Sequence, residues 1–446
     1  MLDTNRKVII AGGGLVGSLQ ALLMGKKGFK VEVLESRVDM RLENISAGKS
    51  INLALANRGI VPLEKAGVMG IVKDIIIPMK GRMIHEVGAP ENFQSYGQRP
   101  EEVVYSVSRG DLNKLLMTEA EKTGNVSFRF SHEVKSADLE NKVITIKNGD
   151  KEFTQSYDLL IGTDGAGSPV RKSLLAHTKQ QDNVEWLGHS YKELCILPND
   201  DGSFKIDKES LHIWPRSDFM LIALPNPDGS FTVTLFMPTK GPVSFESIDS
   251  KEKVRAFFEK EFPDALEIIP DLEDLYMENP TGVLGTVKCY PWIYQDSVML
   301  MGDAAHAIVP FHGQGMNCGF EDCGDFIDLF DTAGSWEELL SKYQEARKIN
   351  GDAIADLAID NYIVMRDSVR DERFLTKKKM GFELESKFPE KFIPRYSRVM
   401  FHHMPYSEAK RLGEVQDGIL EELYDHYVAK GEINWQQAEK LIEERI

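Results

Sequence analysis

Cysteine is scarce in this chain. Four occur in 446 residues, Cys195, Cys289, Cys318 and Cys323, and none forms a CxxC pair. That spacing offers neither a disulfide framework nor a zinc site, and it fits a reducing compartment. Basic residues are in deficit as well: 53 Lys and Arg face 70 Asp and Glu, a formal net charge of −17. A surface of that sign argues against nucleic acid and anionic membranes as partners. No apolar run reaches the roughly 18 residues of a membrane span. No secretory leader precedes "KVIIAGG", and "INWQQAEKLIEERI" at the C-terminus reads as a polar helical tail without an anchor. A soluble, cytoplasmic protein is expected. In "MGDAAHAIVPFHGQGMNCGFED", residues 301–322, no serine or cysteine stands beside a plausible base. His306 and His312 are not at metal spacing, so no metal site is expected.

What is present begins with order. The N-terminus reads strand, turn, helix, strand: "KVIIAGG", "LVGSLQALLMGKKG", "KVEVLES". Val8, Ile9 and Ile10 form the short apolar run of a buried parallel strand, and Gly28 closes the helix. Between strand and helix lies Gly12-x-Gly14-x-x-Gly17, and Glu35 ends the second strand 18 residues after Gly17. Glycines there permit a tight turn and close approach to a pyrophosphate, which faces the helix N-terminus, while the acid suits a ribose diol. A glycine-rich turn without a ligand is the competing reading, and the fingerprint alone does not separate NAD from FAD. It occurs once.

From about Glu185 to Asn279 strand-like runs are joined by turns such as "NPDGS", which reads as an antiparallel sheet. "YDLLIGTDGAG" and "SVMLMGDAAHA" flank it as strands returning to the first sheet. From Ser335 the pattern is mostly helical. The expected organisation is a first domain over 1–184, with part of a substrate site around 80–100, an antiparallel-sheet domain over 185–279, a return to the first domain over 280–345, and a helical cap over 346–446.

"GTDGAGSPVRKSL" and "MGDAAHAIVPFHGQGMN" resemble the DG and GD signatures of the single-component flavoprotein aromatic hydroxylases. With the glycine fingerprint, the motifs stand in that family's order and spacing over nearly the whole chain. "KGRMIH", "YSVSRGDLN", "PFHGQGMNCGFED", "NYIVMRD" and "PRYSRVMF" resemble the members that act on kynurenine. The resemblance implies a mixed α/β and α+β fold: a Rossmann-like FAD-binding domain, an antiparallel-sheet substrate domain and a C-terminal helical region. It implies bound FAD, with NADPH, O2 and L-kynurenine as small-molecule partners. The implied reaction is hydroxylation at ring carbon 3 through a flavin C4a-hydroperoxide. A related hydroxylase of an anthranilate- or salicylate-like acid is the alternative, and a non-catalytic flavin- or nucleotide-binding module is a reading of another class.

By the same resemblance the cofactor residues are Gly12, Gly14, Gly17, Glu35, Arg37, Leu55, Arg109, Val134, Asp164, Asp303, Gly315, Met316 and Asn317. Asp303 is placed on the ribityl chain, and Gly313 and Gly315 let backbone approach the flavin ring. Met316 and Asn317 begin a helix whose positive end faces the pyrimidine edge. Arg109 is placed near the pyrophosphate, although a bare helix-start arginine is commonly a solvated charge. Asp164 could equally be turn chemistry. Arg82, Tyr96, Asn361 and Tyr396 would hold the substrate's carboxylate and amino group, since an arginine fork suits a carboxylate. Met220, Ile222, Leu224, Phe236, Pro310, Phe311, His312 and Met365 would line the ring slot. The first three share a strand face by period two, which ordinary sheet core explains as well. No side chain is assigned as acid or base, because the flavin is the reagent. His312 is read as shape and His306 as a packed, hydrogen-bonded histidine. Oligomeric state and the NADPH site are not legible.

Overall fold

The computed structural model describes residues 2–42, 52–366 and 371–446. Short apolar runs become the central sheet. Its six strands lie in the order Ile293–Tyr294, Val298–Leu300, Leu159–Gly162, Val8–Ala11, Val31–Leu34 and Val126–Arg129. All neighbours are parallel except the outermost pair, Ile293–Tyr294 with Val298–Leu300. Parallel strands covered on both faces need continuous apolar sequence, and Val8, Ile9 and Ile10 are accordingly buried. The helix Leu15–Lys26 follows at once. It is buried over most of its circumference, because the helices Arg109–Lys122 and Gly315–Thr332 pack against it. Gly28 ends this segment with φ +91°, a left-handed conformation that glycine tolerates.

A second sheet has seven strands, in the order Gly282–Val287, Val184–Ile196, Phe231–Pro238, Phe219–Pro225, Ser210–Arg216, Gly81–Ile84 and Asn92–Ser95. The region expected as antiparallel supplies the middle four. Gly81–Ile84 joins in parallel to Ser210–Arg216, and Gly282–Val287 closes the other edge. Period two sorts the side chains of Phe219–Pro225. Phe219, Leu221 and Ala223 pack with Phe257, Phe258 and Phe262 of the helical segment beneath. Met220, Ile222 and Leu224 face the other way.

The helix Trp336–Arg366 links the two halves of the molecule. Trp336, Leu339, Leu340 and Tyr343 belong to the core of the first sheet, and Met365 belongs to an apolar cluster against the second. The position 345/346, expected as a domain boundary, lies inside this one helix. The helices Glu372–Lys387, Arg395–Phe401, Tyr406–Lys430 and Trp435–Arg445 complete the C-terminal region. Among the described residues no helix is long and apolar enough to cross a membrane. All four cysteines are buried and unbridged.

Leu221 is 0% exposed between the sheet and the helices beneath it. Leu221→Ala is expected to cost about 2–5 kcal/mol through the cavity it leaves, read as a lower midpoint in urea unfolding.

Candidate active site

The glycine loop is dictated by what surrounds it. Gly12 has φ +100°, and a Cβ there would stand 2.5 Å from the Thr163 carbonyl oxygen; a Cβ on Gly17 would overlap the Gly12 carbonyl. At Gly14 a Cβ would meet nothing within 4 Å. Gly14 is also the N-cap of Leu15–Lys26, with no side chain capping the helix. An uncapped helix start facing open space is an anion cradle. Glu35 sits beside it, accepting from the Gly13 N–H at 2.9 Å and from the Arg37 N–H and Nε at 2.9 Å each. Burial pushes the Glu35 carboxyl up, but the hydrogen bonds and charge of Arg37 outweigh it and hold it below its ordinary value. Arg37 itself is exposed at the rim.

Asn113 donates to the Gly13 carbonyl at 3.0 Å. Arg109 stands one turn earlier on the same helix, exposed at its start, after the Ser108 cap. Leu55 and Val134 are buried in the hydrophobic core of this domain. Asp164 accepts from the Ser168 hydroxyl and, at 3.1 Å, from the Val170 N–H. Its carboxylate thus braces the start of the helix Pro169–His177, and burial pushes its pKa up. Asp303 is exposed in the turn after Val298–Leu300 and makes no hydrogen bond or ion pair among the described residues.

The helix Gly315–Thr332 begins after Gly313, which has φ +66°, and no side chain caps it. A Cβ on Gly315 would come no nearer than 3.9 Å to anything, so backbone lies open there. The Asn317 side chain, however, is spent inside the protein. It accepts from the Ala56 N–H at 2.9 Å and donates to the Ala54 and Gly313 carbonyls at 2.8 Å each. What Gly315, Met316 and Asn317 offer outward is main chain and the helix's positive end.

Arg82, Tyr96, His312, Asn361 and Tyr396 line one cavity of about 210 Å³ between the second sheet and the C-terminal helices. The Arg82 guanidinium lies 4.8 Å from the Tyr396 ring centre and 5.7 Å from that of Tyr96, and the two phenol rings stack at 5.6 Å. Arg82 is 9% exposed, has no carboxylate partner among the described residues, and its Nε lacks any partner. Burial raises both phenols, which stay protonated hydroxyls. Asn361 donates to the Phe311 carbonyl at 2.7 Å. Burial holds His312 down at about 3, so it is neutral near pH 7, and its ring stacks on Tyr396 at 5.5 Å.

The residues expected around the substrate ring do not all converge. Met220, Phe236, Phe311 and Met365 share one buried apolar cluster, with Ile222 against it and the Phe236 and Phe311 rings 5.1 Å apart. Leu224 falls in the adjoining cluster, with Tyr96. Pro310 is exposed, because the 3-10 turn Pro310–His312 points its first residue outward while burying the next two. Of the expected slot residues, His312 alone lines the cavity itself.

Sequence spacing missed a buried charge network. Arg347 gives Nε to Asp322 at 2.7 Å and Nη1 to Glu321 at 2.7 Å, and Arg58 binds the other Glu321 oxygen at 2.8 Å. Asp322 also accepts from His306 Nε2 at 2.6 Å and the Gly302 N–H at 2.9 Å. Burial opposes charge on His306, but the Asp322 carboxylate wins and raises it well above its ordinary value; Asp322 falls to about 2. One expectation is corrected here. A cysteine of the 301–322 stretch does stand near a histidine, with Cys318 Sγ 3.8 Å from His306 Nδ1. The Cys318 and Asp322 spacing of i, i+4 was the available signal. His306, Cys318 and Asp322 are the one metal-capable group among the described residues, but the Arg347 guanidinium lies against both Cys318 and Asp322. A fixed positive charge occupies the position that a cation would need.

Comparison with known proteins agrees with this geometry. Residues 5–201 and 291–358 match the FAD binding domain family. The kynurenine 3-monooxygenase of Dictyostelium discoideum is 48% identical over 432 residues, covering 94% of this chain and 93% of the relative. That of Myxococcus xanthus (strain DK1622) is 43% identical over 441 residues, covering 98% and 95%. The chain belongs to the kynurenine 3-monooxygenase family. The fold is shared more widely: 2-methyl-3-hydroxypyridine-5-carboxylic acid oxygenase superposes with TM-score 0.65 at 19% identity, over 82% of this chain and 94% of that one. A probable FAD-dependent monooxygenase from Pseudomonas aeruginosa gives 0.64 at 18%, over 83% and 99%.

For a kynurenine 3-monooxygenase with an FAD binding domain, the cofactor fits what is present. The cradle at Gly14, the acid at Glu35 and the uncapped Gly315 helix meet the needs of pyrophosphate, ribose and a ring that gains negative charge on reduction.

Asp322→Asn is expected to destabilise the protein by about 3–5 kcal/mol, since it leaves buried His306 without its carboxylate and takes one of three from Arg347. The sign with pH follows from a depressed folded value. The Asp322 contribution is present above its unfolded value of 3.8 and is lost as pH falls toward about 2; acid unfolding of wild type against the variant measures it.

Proposed function

We propose that this chain hydroxylates L-kynurenine at ring carbon 3, consuming NADPH, a proton and O2 and releasing NADP+ and water. The observation that carries the reading is Arg82: a buried cation, flanked by two phenols, in a half-closed cavity whose two carboxylates, Asp360 and Asp417, face Arg395 instead. A buried cation with hydroxyl neighbours and no counter-charge is costly, and an amino-acid carboxylate supplies that counter-charge. FAD, when bound, would supply the redox chemistry, accepting hydride from NADPH and passing one oxygen atom of O2 to the ring.

The chain's own residues position and exclude. Arg82 grips the carboxylate, with the Tyr96 and Tyr396 hydroxyls beside it, while Asn361 fixes the backbone at Phe311. The apolar cluster of Met220, Phe236, Phe311 and Met365 keeps the aromatic end dry, which limits wasteful release of peroxide. Neutral His312 contributes a flat wall. The substrate's own aniline nitrogen donates electron density to its ortho carbon, so attack there needs no dedicated base. Glu35, Arg109 and Asp303 would hold the cofactor's ribose, pyrophosphate and ribityl chain. A soluble, cytoplasmic enzyme suits the acidic surface.

The deciding assay supplies L-kynurenine, NADPH and air and identifies the product by mass; a product without one added oxygen on the ring ends the proposal. Arg82→Ala is expected to retain its flavin while the kynurenine KM rises about hundredfold, the worth of a lost charge-assisted contact. An unchanged KM removes the carboxylate grip.

A further inference from the structure

The run Lys377, Lys378, Lys379 puts three ammonium groups on successive positions of the helix Glu372–Lys387, about 100° apart around its axis. Their fates differ. Lys377 pairs with Glu421, and Lys379 lies 5.8 Å from the Tyr427 ring centre. Lys378 turns inward and lines the same cavity as Arg82. Its one hydrogen bond is a long one, 3.4 Å to the Gln94 side-chain oxygen, and it has no ion pair among the described residues.

The other charged groups around that cavity are accounted for. Asp360 and Asp417 face Arg395 at 3.7 and 3.6 Å. Arg82 and Lys378 therefore confront one another across a half-closed space with no anion between them. Like charges so placed repel strongly in a poorly solvated cavity. Also lining the cavity, Gln416 is 2% exposed and neither its amide nitrogen nor its oxygen has a partner. The C-terminal side of the cavity thus presents a lysine without a counter-charge, 5.9 Å from the Phe382 ring centre, and an unspent amide.

We infer that Lys378 is a second cationic ligand for the substrate carboxylate, supplied by the C-terminal helices to match Arg82 from the sheet. This deepens the proposed function and rests on it. A carboxylate between the two cations relieves their repulsion and bonds to both parts of the protein, so substrate itself draws the helical region onto the sheet. The three-donor ammonium is a point charge that adapts to either carboxylate oxygen, whereas the Arg82 fork is fixed. Burial, with the charge of Arg82 added, pushes free Lys378 down to about 8. Tyr96, Tyr396, His312, Asp360, Lys377, Arg395 and Asp417 are the remaining titratable or charged groups facing this space. A bound carboxylate favours the protonated lysine, so binding weakens as pH rises through the value of the free enzyme.

The test uses the flavin-loaded enzyme and two substrates: L-kynurenine, and 2-aminoacetophenone, which keeps the aniline and ketone but lacks the amino-acid group. Substrate-stimulated NADPH oxidation is followed for wild type, Lys378→Met and Lys378→Arg. The expected result is a kynurenine KM raised about tenfold in Lys378→Met, the worth of one charge-assisted hydrogen bond. Lys378→Arg should restore it, and the KM for 2-aminoacetophenone should not move. Wild-type KM for kynurenine should also climb above about pH 8, a rise absent from Lys378→Met. A wild-type kynurenine KM in Lys378→Met, or an equal rise for both substrates, overturns the inference alone. A wild-type enzyme that ignores kynurenine overturns the functional reading, and this inference falls with it.

Discussion

The start of the helix Gly315–Thr332 has to be held open and still, and Arg347 is the residue that makes this possible. Its guanidinium ties Asp322 and Glu321, on the second turn of that helix, to the long helix Trp336–Arg366. Asp322 in turn fixes the Gly302 N–H next to Asp303, and Glu321 fixes Arg58. The Arg58 guanidinium lies 3.8 Å from the Tyr406 ring centre, and the Tyr406 hydroxyl donates to Gln314, the residue that opens the helix. Asn317 adds a brace to the chain at Ala54 and Ala56. A helix end left without a side-chain cap would fray. Here it is clamped from behind, so its outward N–H groups stay open.

The substrate side follows a different logic. The sheet side contributes Arg82, Ser95 and Tyr96, and the C-terminal helices contribute most of the remaining walls. Neither part alone encloses the cavity. The two are joined covalently by the helix Trp336–Arg366, whose first turns are core and whose last turns carry Asn361 and Met365. Cofactor and substrate regions therefore share one rigid element.

Much of this was legible in the sequence, because some constraints are local. Gly17 is demanded by the Gly12 carbonyl five residues earlier, and a short buried parallel strand has nowhere to put a polar side chain. The family resemblance placed Arg82, Tyr96, Asn361 and Tyr396, and those four do line one cavity. What stayed hidden depends on partners distant in the chain. That Gly81–Ile84 is a strand of the second sheet shows only once Ser210–Arg216 lies beside it. Asn317 carries no sign that its amide is spent on Ala54, Ala56 and Gly313. The Arg347 network joins residues 58, 302, 306, 321, 322 and 347, and no spacing rule spans those intervals. Leu224 and Met220 share a strand face, yet the sheet's twist sends them to different clusters.

The four cysteines bear on the enzyme's survival. An oxygenase that fails to couple its oxygen to substrate makes hydrogen peroxide within its own interior. Peroxide attacks thiolates, and exposure decides which ones. Cys195 and Cys289 are pushed up to about 11 by burial, and Cys323 is raised by burial also. At cellular pH these sulfurs are protonated and enclosed, so the oxidant generated by a misfired turnover finds little nucleophile to consume. All four sulfurs are buried, which keeps them from an oxidant in the surrounding solution.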